Sequence, residues 1–114
     1  MESESMVKLM EQLQSAFIPE KSAGMKGNFQ CHITGVENGD WVMRVESGQC
    51  WITPGEVQQP RATLEIDARD LTDLLSGKLD PLRAFFSGRI QLTGDTNAVI
   101  KLLSMFQMDT ARFK

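Results

Sequence analysis

Between Leu74 and Asp95 the chain reads LLSGKLDPLRAFFSGRIQLTGD, and helix-breaking devices recur in it at short intervals. Gly77 suits the left-handed conformation that ends a helix. Asp80 followed by Pro81 supplies an N-cap and a first-turn proline, so a second helix starts there. Leu82, Phe85 and Phe86 share one face of that short helix, which is expected to be its inner face. Gly88 ends it. Ile90 and Leu92 then alternate with Arg89, Gln91 and Thr93, the pattern of a half-buried strand. Gly94 and Asp95 close the strand and cap a further helix. A helix, a phenylalanine-bearing helical turn, a strand and a helix must therefore follow one another with almost no loop.

The remaining elements have to fit that frame. Met6, Leu9, Met10, Leu13, Ala16 and Phe17 recur at three- and four-residue steps and predict an N-terminal helix, capped by Ser3 or Ser5 and stopped by Pro19. Residues 29–53 read as a three-stranded meander. Phe29, Cys31 and Ile33 alternate with polar residues; so do Trp41, Met43 and Val45. A two-residue turn at Ser47-Gly48 pairs Val45 with Cys50 and Met43 with Ile52, putting all four on one face. A two-residue loop at Asn38-Gly39 would mix the faces, because a one-residue slip inverts every side chain. A three-residue loop, Asn38-Gly39-Asp40, or a bulge near Gly35 is expected instead. Ala62, Leu64 and Ile66 predict a fourth strand. A helix follows from Asp67 or Ala68, with Leu71, Leu74 and Leu75 inward. The last helix is expected from about Asp95 to Gln107, with Val99, Leu102, Leu103 and Phe106 as its stripe. Strands with one apolar and one polar face predict an α+β arrangement of two layers, helices on one side of the sheet.

At 114 residues a single domain over 1–114 is expected, with 1–4 and 108–114 as flexible tails. Net charge is -3 with scattered basic residues, which argues against a nucleic-acid partner. No apolar run approaches the roughly 20 residues that span a bilayer. The acidic start lacks a signal-peptide pattern, the last residues form no targeting tripeptide, and two cysteines fit a reducing compartment, so a cytoplasmic location is expected.

Catalytic and metal-binding patterns are missing. His32 is the only histidine and sits on a polar strand face. No Cys-x-x-Cys or His-x-x-x-His pair, phosphate loop or nucleophile elbow occurs, so neither an enzyme nor a cofactor is expected. Cys31 and Cys50 would lie about 9–10 Å apart across an intervening strand, beyond the ~7 Å that a disulfide bridges. Trp51 falls on the polar sheet face opposite Arg44, as a cation–π pair or as part of an interaction patch with Val42. What remains is a gathering of aromatic and methionine side chains at Phe85, Phe86, Met105, Phe106, Met108 and Phe113, suited to core or to an adaptable apolar cavity.

The ordered set Gly77-Lys78-Leu79-Asp80-Pro81, Ala84-Phe85-Phe86 with Gly88, and Gly94-Asp95 before a final apolar helix resembles the sterol carrier protein type-2 family. The Phe29–Gly35 strand, the Trp41 strand and the Ser47-Gly48 turn share the likeness. The resemblance implies a five-stranded, mainly antiparallel sheet covered on one face by about four or five helices. It also implies a hydrophobic tunnel between the layers, holding a fatty acid, fatty acyl-coenzyme A, sterol-like molecule or phospholipid. On that reading Leu71, Leu74, Leu75, Leu82, Phe85, Phe86, Leu102, Met105, Phe106 and Met108 line the tunnel from the helical side, and Phe29, Ile33, Trp41, Met43, Ile52 and Ile90 form its floor on the sheet. The partner is then a lipid or fatty acyl ligand, with transient membrane contact and a homodimer as further expectations. The alternative is a non-catalytic interaction or dimerisation module assisting a lipid- or quinone-metabolising enzyme.

Overall fold

The computed structural model describes residues 2–22, 24–37 and 39–106. In chain order these form α1 (Glu2–Ser15), a 3-10 turn (Pro19–Lys21), β1 (Gly27–Thr34), β2 (Asp40–Glu46), β3 (Gln49–Pro54) and β4 (Ala62–Asp67). Then come α2 (Ala68–Leu75), α3 (Pro81–Phe86), β5 (Ile90–Gly94) and α4 (Thr96–Leu103). The five strands make one sheet in the order β3-β2-β1-β4-β5. β1 and β4 run parallel; every other neighbouring pair is antiparallel. The architecture is thus α+β with a mixed sheet and four α-helices.

Side-chain parity set the sheet, and turn chemistry set its registers. Ser47 and Gly48 both take positive φ, 54° and 76°, the signature of a tight hairpin. It pairs Val45 with Cys50 and Met43 with Ile52, as the alternation required. The first hairpin is wider than expected. Phe29 pairs with Met43 and Cys31 with Trp41, and the Ile33 amide donates to the Gly39 carbonyl at 2.7 Å. Gly39 and Asp40 therefore belong to the ladder, not to a three-residue loop; Asn38 lies outside the described residues. The even register preserved the faces. A β-carbon at Gly39 would collide with the Ile33 carbonyl oxygen, so this crossing needs glycine.

The apolar face of the sheet carries Phe29, Cys31, Ile33, Trp41, Met43, Val45, Ile52, Ile66 and Ile90, all buried. From the helical layer Met6, Met10, Leu13, Leu71, Leu74, Leu75, Val99 and Leu102 meet them. At ~25 cal/mol per Å² of apolar area, this single continuous core is the main stabilising term. The starts of α2, α3 and α4 are each tied by a carboxylate where one was expected: Asp67 accepts from the Arg69 amide, Asp80 from those of Leu82 and Arg83, and Asp95 from that of Ala98.

Other boundaries differ from the sequence reading. α1 begins at Glu2, so Ser3 and Ser5 fall inside it and not ahead of it. α4 stops at Leu103, several residues before Gln107. The chain then turns, and Phe106 bridges to Phe17, their rings edge to face at 5.5 Å. Gln30, on the polar sheet face, is buried because 55–57 crosses over it. Its amide donates to the carbonyls of Trp41 and Gly55 at 3.2 and 3.1 Å and accepts from the Val57 amide at 2.9 Å. The segment 108–114, with Met108 and Phe113, lies outside the described residues.

Candidate functional site

The two layers enclose an apolar cavity of about 40 Å³. Its floor is Phe29, Cys31 and Ile33 of β1, Met43 of β2, Leu64 and Ile66 of β4, and Ile90 of β5. Its roof comes from α1 through Met10 and Leu13, α2 through Leu71 and Leu74, and α4 with its following turn through Val99, Leu102, Leu103 and Phe106. All three long helices thus reach it, because each presents its stripe to the same sheet face. No polar group lines the cavity, so water gains no partner there and a dry interior is expected.

Of the residues expected to line a tunnel, Leu71, Leu74, Leu102, Phe106, Phe29, Ile33, Met43 and Ile90 do border this cavity. Leu75 and Ile52 are buried elsewhere in the core. Met105 lines an open surface hollow of about 620 Å³ with Lys21, Arg61, Asp95 and Lys101. Trp41 is buried beside a shallow groove shared with Met6, Val7 and Pro54. α3 corrects the sequence reading most. Leu82 and Phe86 do share a face, but it is the outer one: they are 47% and 79% exposed, Phe85 is half-buried, and the buried residue is Ala84. The Arg89 amide donates to the Ala84 carbonyl at 2.8 Å and the Gly88 amide to that of Phe85 at 3.2 Å, with Gly88 at positive φ, so the helix closes in a local Schellman turn. Met10, Leu13, Cys31, Leu64, Ile66, Val99 and Leu103 were absent from the expected lining. Their periodicity marked them as core, and nothing in the sequence separates core from cavity wall.

The cavity is also tighter than the resemblance implies. Ligand pockets run from roughly 300 Å³ upward, so an acyl chain fits only if the helices lift from the sheet or side chains swing away. Met10 and Met43 are the wall residues best able to re-form around a guest, having unbranched, flexible side chains.

The titratable groups near the site do not suggest chemistry. Burial pushes the Cys31 thiol, on the cavity wall, up to about 12, with a smaller push from Cys50; burial likewise raises Cys50 to about 12. Both cysteines are free. His32 lies on the opposite sheet face and is exposed, its Nδ1 2.6 Å from Asp40 Oδ1. Trp51 is partly exposed with the Arg44 guanidinium 5.1 Å from its ring centre, the arrangement the pairing of β2 and β3 demanded. Among the described residues no group of three His, Cys, Asp or Glu side chains could hold a metal ion, and no helix is long and apolar enough to cross a membrane.

The model of the SCP-2 sterol transfer family matches residues 7–107, from within α1 through the turn after α4. The chain belongs to that family. Sterol carrier protein 2 of Oryctolagus cuniculus is 31% identical over 71 residues, 62% of this chain and 13% of that protein. Hydroxysteroid dehydrogenase-like protein 2 of Xenopus tropicalis is 28% identical over 78 residues, 68% of this chain and 19% of that protein. The chain therefore spans under a fifth of the length of these relatives. The solution structure of the sterol carrier protein domain 2 of Helicoverpa armigera superposes with a TM-score of 0.71 at 27% identity, covering 94% of this chain and 89% of that one. Membership explains the recurring glycine and Asp-Pro punctuation: it places the five strands and the helical roof of the family fold.

Proposed function

We propose that this chain is a lipid carrier, holding the apolar part of a fatty acid, fatty acyl-coenzyme A, sterol-like molecule or phospholipid between α1, α2, α4 and the sheet. One observation carries the reading. In a chain matched to a sterol-transfer family over 7–107, a polar-free hollow lies between the two layers, where that family's name requires a place for an apolar guest.

Magnitudes support a loose carrier. Burying about 12 methylenes at ~0.8 kcal/mol each yields roughly 10 kcal/mol. Association and ordering cost at least ~4 kcal/mol. About 6 kcal/mol remains, a dissociation constant of tens of micromolar, before the cost of parting the layers. Apolar contacts are non-directional, so selectivity among lipids of similar size is weak. Two buried, protonated thiols suit a reducing compartment, which supports a place inside the cell. No histidine, carboxylate or amine lines the cavity, and burial keeps the Cys31 thiol protonated, so no catalytic role is proposed for its walls. In a longer protein the chain would present lipid to a neighbouring domain.

Native mass spectrometry of the purified protein is expected to show lipid adducts, and titration with a fluorescent fatty acid to saturate in the micromolar range. Replacing Leu64, a partly buried floor residue, with Trp should fill the hollow and weaken that binding. A protein that carries no adduct and binds no fluorescent fatty acid ends the carrier reading.

A further inference from the structure

The outer face of α3 is an apolar ridge set in positive charge. Leu82 and Phe86 stand one helical turn apart, so their side chains lie together. The half-buried Phe85 ring props that of Phe86, centre to centre 5.3 Å. Below, Ala84 is wholly buried and fixes the helix to the core. Lys78, Arg83 and Arg89 flank and interleave with the ridge residues in the sequence, all exposed. None of the three is in an ion pair among the described residues. The one acidic residue from 74 to 94 is Asp80, and two backbone amides already occupy it, at 3.1 Å each. Three basic residues against one acidic give this segment +2, in a chain whose net charge is -3. The sign is opposite to that of the whole.

We infer that this ridge docks the protein on an anionic phospholipid bilayer. Leu82 and Phe86 enter the headgroup boundary, and Lys78, Arg83 and Arg89 face the lipid phosphates and carboxylates. Stable peripheral binding needs two such signals together, apolar insertion and basic charge, and α3 supplies both within one segment. A protein partner fits less well. Two protruding side chains fall far short of the ~800 Å² that each side of a specific interface buries, whereas a bilayer needs no matching socket.

The test is co-sedimentation of the full chain with vesicles of phosphatidylcholine, alone or mixed with phosphatidylserine. The wild type is expected to sediment with the mixed vesicles and less with the neutral ones, and to be released by salt. L82S/F86S should weaken that partition at least tenfold, since two large apolar groups are lost. R83Q should weaken it about fivefold on the mixed vesicles and leave the neutral ones unchanged. F86W should show blue-shifted emission on the mixed vesicles. The inference is overturned if the wild type stays in solution with both vesicles or if L82S/F86S docks as the wild type does. It is also overturned if sedimentation velocity shows a self-association that L82S/F86S abolishes, which would make a second copy the occupant. A wild type that docks but holds no fatty acid defeats the carrier reading alone; one that holds fatty acid but never docks defeats this inference alone.

Discussion

α2 and α3 are consecutive helices, each started by an aspartate that bonds the first-turn amides and each carrying three large apolar side chains. α2 buries Leu71, Leu74 and Leu75, two of them against the cavity; α3 turns Leu82 and Phe86 outward and buries only Ala84. An apolar stripe says which residues travel together, not which way they point. Direction comes from the tether. α2 springs directly from β4, with Asp67 ending the strand and capping the helix, so its stripe falls on the sheet. α3 has no strand running straight into it: it starts from the turn after α2, and what it seats on the core is the small Ala84.

Leu74→Ala should break that contrast most visibly. It deletes a core side chain at the cavity edge and should cost about 2–5 kcal/mol by denaturant unfolding, whereas Leu82→Ala should stay within about 0.5 kcal/mol. Equal effects would mean that α3 is buried after all. Next in size is Ala84→Leu. Overpacking beneath α3 should cost about 1–3 kcal/mol, while a neutral result would show that α3 floats on the sheet. Asp80→Ala removes a cap that holds α3 in place and should cost about 1 kcal/mol.

The smallest effect belongs to the far sheet face. The hydrogen bond to Asp40 raises the His32 pKa above 6.5, so protonated His32 is favoured in the folded state. The associated stability is fully present below the unfolded value and is lost as pH rises through the folded one. Both side chains are largely exposed, so solvent screens the pair. Nuclear magnetic resonance titration of the ring should show a raised midpoint that Asp40→Asn lowers.

Much of this fold was legible because its signals are local. Ser47-Gly48, Asp67, Asp80 and Asp95 each act within a few residues, and each sits where the sequence placed it. The first hairpin was half-read: alternation fixed the parity of the register, but the spacing from Thr34 to Asp40 rests on Gly39 lying against the Ile33 carbonyl, a contact across strands. The outward turn of Phe86 was hidden as well, since it follows from Ala84 seating on the core, a packing contact that no local signal carries. The candidate site was the least legible part. Leu13 and Leu75 carry the same sequence signature, yet only Leu13 borders the hollow, and the separation arises from how three helices happen to converge.

Cys31 gives the closed interior a built-in gauge. Burial raises its thiol to about 12, so the reactive thiolate is scarce at neutral pH, and the wall of the hollow shields the sulfur besides. An alkylating reagent would therefore mark molecules in proportion to how often helices and sheet part company. A guest seated against β1 would slow that clock, and a bilayer that pries the layers apart would quicken it.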